Sequence, residues 1–293
     1  MGILRVRVAT ALTIAALALV SAGALQPLAT AAHGGAYVAL GDSYAAGPGI
    51  TAAASGPPGC GRSAADYPSL VDSRAGYADF RDVTCSGATV GDMTGAQRTG
   101  SGSNPPQLNA VTGDTGLVTI TIGANDVGFG EVLTRCLGGS SDAPDGSRCR
   151  ERFVHDGHDV LADRIAALGP ALDRVLAEIR RRAPGATVLV VGYPRTLPSL
   201  VGGCDEAPFS RADAAYLNDT LEALNTMLEQ RAEVAGARFV DTASSSADHD
   251  ICRPADLRWV EGATPESAAA PFHPNAKGME NTAGRVLTAR LIP

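Results

Sequence analysis

Tyr37-Val-Ala-Leu-Gly-Asp-Ser43 is the stretch on which the fold reading turns. Its first four residues are a short apolar run, and the run stops at Gly41-Asp42-Ser43. Such a run closed by turn residues predicts a buried strand, Tyr37 to Leu40, delivering the chain into a tight turn. The pattern recurs downstream. Leu117-Val-Thr-Ile-Thr-Ile122 is rich in β-branched residues and leads into Gly123-Ala-Asn-Asp126. Its nearly continuous apolar character points to a strand covered on both faces. Phe80 to Thr84, Thr187 to Val191 and Arg238 to Val240 read as further strands.

Helical patterns separate these strands. Residues 151–182 carry Val160, Leu161, Ile165, Leu168, Leu172, Val175, Leu176 and Ile179 at three- and four-residue spacing. Gly169-Pro170 is expected to break or kink that helix, and Ala183-Pro-Gly185 to stop it. Tyr67 to Arg74, Ala212 to Ala235 and Asn275 to Arg290 read as the other helices. Alternating apolar strands and amphipathic helices predict an α/β fold, a parallel sheet sandwiched between helices. No internal repeat or sharp composition shift divides residues 33–293, so one domain is expected. The long Gly-, Pro- and Ser-rich or polar stretches at 47–62, 95–107, 138–148 and 244–270 read as loops that are functional or held by staples.

The chain has 293 residues, 45% hydrophobic and 19% charged, enough for a sizeable core. Its net charge of −7, with one lysine (Lys277) among the basic residues, argues against a nucleic-acid partner. Arg5 and Arg7, the apolar run Val8 to Val20 and the small residues Ala29-Thr30-Ala31 form a secretory signal peptide over residues 1–32. The run is shorter than the roughly 20 apolar residues that a membrane span needs. Cleavage removes two arginines and no acid, so the net charge moves from −7 to −9. The expected product is secreted, without a membrane anchor, and monomeric. Six cysteines fit an oxidising compartment and imply three disulfides. Fifteen connectivities exist, and the sequence does not choose among them. Sequential pairing (60–85, 136–149, 204–252) is preferred because it staples three separate loop regions. The absence of a Cys-x-x-Cys pair disfavours a zinc knuckle.

Three turns can carry chemistry. Ser43 sits at the carboxyl end of the first strand, the edge where open α/β sheets bind ligands. Its hydroxyl can be presented on the turn while nearby backbone N–H groups stay free, although Asp and Ser are also ordinary turn and cap residues. His273, in Phe272-His-Pro-Asn275, precedes a proline and therefore sits on restricted, non-helical backbone, with Asn275 free to cap the last helix. Asn125 ends the strand expected at the centre, where its amide can point into the same crevice as Ser43 or bond its own backbone.

In order, Gly41-Asp42-Ser43, Gly87 in Cys85-Ser-Gly87, Asn125 in Gly123-Ala-Asn-Asp126, and His273 resemble the four blocks of the SGNH hydrolases, the GDSL family. The likeness runs from about Tyr37 onward and is nearest to secreted actinobacterial lipases, esterases and phospholipases. It implies a three-layer α/β/α flavodoxin-like fold, three sequential disulfides and no cofactor or metal. It also implies that Ser43 is a nucleophile and His273 its general base. The oxyanion hole would comprise the N–H groups of Ser43 and Gly87 and the Asn125 amide. The implied activity is hydrolysis of small-molecule or lipid carboxylic esters. Phospholipase A or lipid transacylase chemistry at the same site is one alternative, and a catalytically silent extracellular binding protein is the other. The family usually has Asp three residues before the histidine, but here that position is Ala270. The carbonyl of Ala270 or Pro271 is therefore expected to orient the imidazole, with Glu266 folding back as the alternative.

Other signals read as bland. His155-Asp-Gly-His158-Asp159 reads as a solvated helix start and Asp248-His-Asp250 as surface. Gly47-Pro-Gly49 lacks the lysine and spacing of a phosphate loop, and no Gly-x-Ser-x-Gly elbow is present. Trp259 either lines the pocket or packs.

Overall fold

Five of the apolar runs pair into one parallel sheet in a computed structural model of the chain. The structure describes residues 34–292, apart from 55, 58, 137–145, 199–203 and 205–208, together with residues 1 and 2. All but the first two residues of the expected signal peptide, and most of the expected 138–148 loop, therefore lie outside the described residues.

The strands are β1 (Ala36–Gly41), β2 (Phe80–Asp82), β3 (Thr115–Thr121), β4 (Thr187–Val191) and β5 (Arg238–Val240). Their spatial order is β2-β1-β3-β4-β5. All four pairings are parallel, with Leu40 opposite Ile120 and Gly41 opposite Thr121. This is the doubly wound order whose direction reverses between β1 and β3, and a crevice opens at the carboxyl ends of those two strands.

The helices are α1 (Ser43–Ala46), α2 (Tyr67–Ala75), α3 (Ala124–Val127), α4 (Phe129–Cys136), α5 (Arg148–Phe153), α6 (Val160–Arg182), α7 (Arg211–Val234) and α8 (Ala276–Ala289). Side chains of a strand alternate between faces, and β1 divides accordingly. Tyr37 and Ala39 pack with Tyr67 and Val71 of α2 and Met279, Ala283 and Val286 of α8. Val38 and Leu40 share the opposite core with Leu161, Leu172 and Leu176 of α6 and Leu224 and Leu228 of α7. The result is the expected three-layer arrangement, with the central strands β1, β3 and β4 buried on both faces.

Two expectations need correction. The helical stretch expected over 151–182 is two helices, α5 and α6, separated by a hairpin in which Val154–His155 pairs with His158–Asp159. Asp156 and Gly157 at its tip have φ of 52° and 81°, the conformation of a two-residue type I′ turn, for which Asp-Gly is a favoured sequence. His155 and His158 are thus exposed register partners across a hairpin, not part of a helix start. Asp159 then caps α6, accepting hydrogen bonds from the N–H groups of Leu161 and Ala162. The second correction concerns the break expected at Gly169-Pro170, since α6 runs without interruption through Pro170. Proline deprives the carbonyl four residues earlier of its donor. Ala166 and Pro170 both lie on the exposed face of α6, so the carbonyl left without a donor faces solvent. Gly169 is buried, and a Cβ there would come within 2.9 Å of the Arg231 guanidinium.

Within the Gly95–Gln107 stretch, Gln97–Thr99 and Gly102–Asn104 form a short antiparallel pair. Gln107 beyond it completes the free end of β1. Its Oε1 accepts the Gly41 N–H at 2.7 Å, and its Nε2 donates to the Gly41 carbonyl at 2.9 Å.

Candidate active site

Three loops leaving the carboxyl edge of the sheet, and the loop before α8, converge at the β1/β3 crevice. At the end of β1, Gly41 has φ of +146°, and a Cβ there would lie 2.5 Å from the Thr121 carbonyl oxygen. Only glycine fits so close to the neighbouring strand. Asp42 caps the single turn of α1 by accepting the Tyr44 N–H at 2.9 Å. This places Ser43 at the first helical position, where a backbone N–H has no partner within its own helix.

The Ser43 hydroxyl lies 2.8 Å from Nε2 of His273. On the other side of the ring, Nδ1 lies 2.7 Å from the Pro271 carbonyl. A carbonyl can only accept, so Nδ1 carries the proton and Nε2 presents its lone pair to Ser43. The Ala270 carbonyl instead accepts the His273 backbone N–H. Glu266 turns away and pairs with the buried Arg258. Burial holds the imidazole pKa below its ordinary value of 6.5, opposed by the Pro271 hydrogen bond. The histidine is therefore unprotonated at neutral pH.

The Gly87 turn is fixed by covalent and polar ties. Cys85 is bonded to Cys60, the Ser86 N–H donates to the Cys60 carbonyl at 2.9 Å, and Gln97 Nε2 donates to the Ser86 carbonyl at 2.9 Å. Gly87 has φ of +79°, and an added Cβ would meet nothing closer than Gln97 at 3.9 Å. The backbone conformation, rather than crowding by protein atoms, is what calls for glycine. The Asn125 amide is aimed by one of its own hydrogens, since Nδ2 donates to the Ala88 carbonyl at 2.9 Å and keeps a second N–H. Among the described residues, the Ser43 and Gly87 amides donate to no protein acceptor.

Beside these groups lies a cavity of about 120 Å³. Phe129 and Leu133 of α4, Leu197, and Leu217 and Leu221 of α7 give it an apolar wall, while Ser43, Asn125 and His273 stand at its polar end. Two further disulfides, Cys136–Cys149 and Cys204–Cys252, join the end of α4 to α5 and a loop to the segment after β5. Trp259 does not line this cavity; it stacks on His249 with ring centres 3.6 Å apart. Of the cluster expected at the surface, Asp248 is exposed but Asp250 is buried, because its carboxylate accepts the Cys252 N–H at 2.9 Å within its own turn.

The sequence reading gave no site role to several residues around Ser43. Asp42 is fully buried, which raises its carboxyl pKa to about 7 against the opposing hydrogen bonds of Tyr193 and Tyr44. Between 3.8 and about 7 the folded chain keeps a proton that the unfolded chain releases. The contribution of Asp42 to stability therefore falls as pH rises through that window. Tyr193 follows β4, and its hydroxyl donates to Asp42 Oδ2 at 2.6 Å and accepts the Ala124 N–H at 3.0 Å. The Tyr44 hydroxyl donates to the Phe272 carbonyl at 2.7 Å. Phe272 itself has φ of +59°, an uncommon conformation for an aromatic residue. The signal for Tyr193 was its place just past a strand end, at the ligand-binding edge.

Comparison with known proteins gives the chain its relatives. Residues 39–280 match the GDSL-like Lipase/Acylhydrolase family. The chain is 37% identical over 281 residues to Lipase 2 of Streptomyces coelicolor, covering 93% of this chain and 92% of that protein. Two crystal structures superpose with a TM-score of 0.73, each covering 87% of this chain and 99% of the other. They are a phospholipase A1 from Streptomyces albidoflavus at 30% identity and an extracellular lipase from Streptomyces rimosus at 33%. The chain is a carboxylic ester hydrolase and belongs to the GDSL-like lipase/acylhydrolase family.

Proposed function

We propose that the chain is an exported serine esterase or lipase whose catalytic dyad is Ser43 and His273. The contact that carries this reading is the 2.8 Å approach of the Ser43 hydroxyl to an imidazole nitrogen left bare by the Pro271 carbonyl. Nε2 takes the hydroxyl proton as Oγ bonds to the ester carbonyl carbon. The charge that moves onto the carbonyl oxygen meets the N–H groups of Ser43 and Gly87 and the spare N–H of Asn125. The protonated imidazole then gives its proton to the departing alcohol. Water, deprotonated by the same nitrogen, releases the acid from Ser43. The apolar cavity takes the acyl chain. Export fits the three disulfides, the sequence of residues 1–32 and the lack, among the described residues, of any helix long and apolar enough to cross a membrane.

Treatment with a fluorophosphonate tests the reading directly. Peptide mapping should find the label on Ser43, with activity lost in proportion; labelling elsewhere with full loss of activity refutes it. Because one relative is named a phospholipase A1, the substrate panel should include phosphatidylcholine beside p-nitrophenyl esters.

Two further outcomes follow. Asn125→Ala removes one oxyanion donor and should lower kcat by about 10²–10³-fold, with KM little changed. Glu266→Gln, Asp248→Asn and Asp250→Asn should each stay within about tenfold of parent kcat, since a carboxylate essential to the histidine would cost about 10⁴. Steady-state kinetics on one ester decides both.

A further inference from the structure

We propose that the Tyr193 hydroxyl and the Asp42 carboxyl form a buried bridge that sets the Asn125 turn against the Ser43 turn. Both would then be positioning residues for ester hydrolysis. The inference rests on the serine-hydrolase reading of this site.

The Tyr193 oxygen is one atom bonded to both turns. It accepts the N–H of Ala124, the residue before Asn125, and donates to the carboxyl of Asp42, the residue before Ser43. All three residues are buried, so water does not compete for these bonds. The bridge is itself anchored. Asn225 of α7 accepts the Tyr193 N–H and donates to its carbonyl, each at 2.9 Å. Tyr193 lies beyond the last residue of β4, so these bonds lie outside the sheet ladder.

The second oxygen of Asp42 holds the Tyr44 N–H, and Tyr44 extends the chain of contacts to the histidine. Its ring stands 5.1 Å from those of both Tyr193 and His273, and its hydroxyl bonds the carbonyl just before His273. Nucleophile, oxyanion donor and base are thus tied to one carboxyl. Core packing needs the Tyr193 ring; it does not need an oxygen shared by two turns. Displacing a reacting group by about 1 Å can cost about 10²-fold in rate, which sets the expected scale.

The test compares the parent with Ser43→Ala, Tyr193→Phe, Asp42→Asn and the Tyr193→Phe/Asp42→Asn double variant. Rates are measured on a p-nitrophenyl ester and normalised to folded protein. Tyr193→Phe should lower kcat by about 10²-fold, keep KM within about threefold and slow fluorophosphonate labelling of Ser43 by the same factor as kcat. Asp42→Asn avoids leaving a buried charge unpaired and should lower kcat by about tenfold. Because both changes break one bridge, the double variant should be no slower than Tyr193→Phe alone.

Parent-level kcat per folded molecule in Tyr193→Phe overturns the proposal, as does a double variant whose loss is the product of the single losses. If Tyr193→Phe does not fold, parent-level kcat in Asp42→Asn overturns it instead. Ser43→Ala separates the two ideas. An inert Ser43→Ala beside a fully active Tyr193→Phe sinks the bridge alone, whereas an active Ser43→Ala sinks the serine reading and the bridge with it.

Discussion

Ser43→Ala is expected to lower kcat by about 10⁴-fold or more while leaving substrate affinity and thermal stability close to those of the parent. The size follows from what is lost. Without Oγ no acyl-enzyme forms, and the remaining catalysis over water comes from the oxyanion donors and binding alone. Stability should barely move because, among the described residues, the hydroxyl hydrogen-bonds only the His273 ring, and α1 keeps its Asp42 cap. The change removes one polar atom and leaves the Gly41 and Gly87 turns untouched. Pre-steady-state kinetics with excess p-nitrophenyl ester gives the cleanest measurement: the parent should release a burst of nitrophenol equal to its active sites, and the variant none. Parent-like turnover in the purified variant would move the chemistry away from this serine.

His273→Gln should cost a similar factor, since neither partner of a dyad works alone, and it should also change the pH response. In the parent, the base must be unprotonated to accept the Ser43 proton. Burial holds its pKa below 6.5, so the acid limb of kcat/KM should fall at a pH below that value. The residual activity of His273→Gln should lose this limb. Stability follows the same ionisation. The unfolded chain binds a proton at His273 more readily than the folded chain does, so this group's contribution rises with pH through the window just below 6.5. Acid should therefore destabilise the parent more steeply than His273→Gln. A kcat/KM profile and melting curves over the same buffers check both statements, and an acid limb above 6.5 would contradict the burial argument.

Much of this was legible in the sequence because it rests on short-range rules. Thr187–Val191 and Arg238–Val240 are strands with the expected bounds, and the Ser43 turn follows from where the first apolar run stops. The α5–α6 hairpin was missed because hydrophobic periodicity outweighed the Asp156-Gly157 turn signal. Pro170 was overestimated because whether it breaks a helix depends on the face its lost hydrogen bond occupies, and that is a tertiary fact. Asp42 read as a cap, and it is one. Its burial and its bond to Tyr193, 151 residues away, depend on how β1, β3 and β4 sit side by side, which no local pattern encodes. The same holds for Pro271. Ala270 in place of aspartate pointed to the carbonyl of Ala270 or Pro271, with Glu266 as the alternative, and the backbone path determined which group holds the ring.

The peptide oxygen of Pro271 carries no proton under any condition in which the protein stays folded. An aspartate in its place would release the ring as acid neutralised it. Here the grip on Nδ1 is the same in vinegar as in seawater, and acid removes the base by one event on one nitrogen rather than by freeing the ring. That event alone lowers kcat/KM by one decade for each unit of acidity below the histidine's own titration.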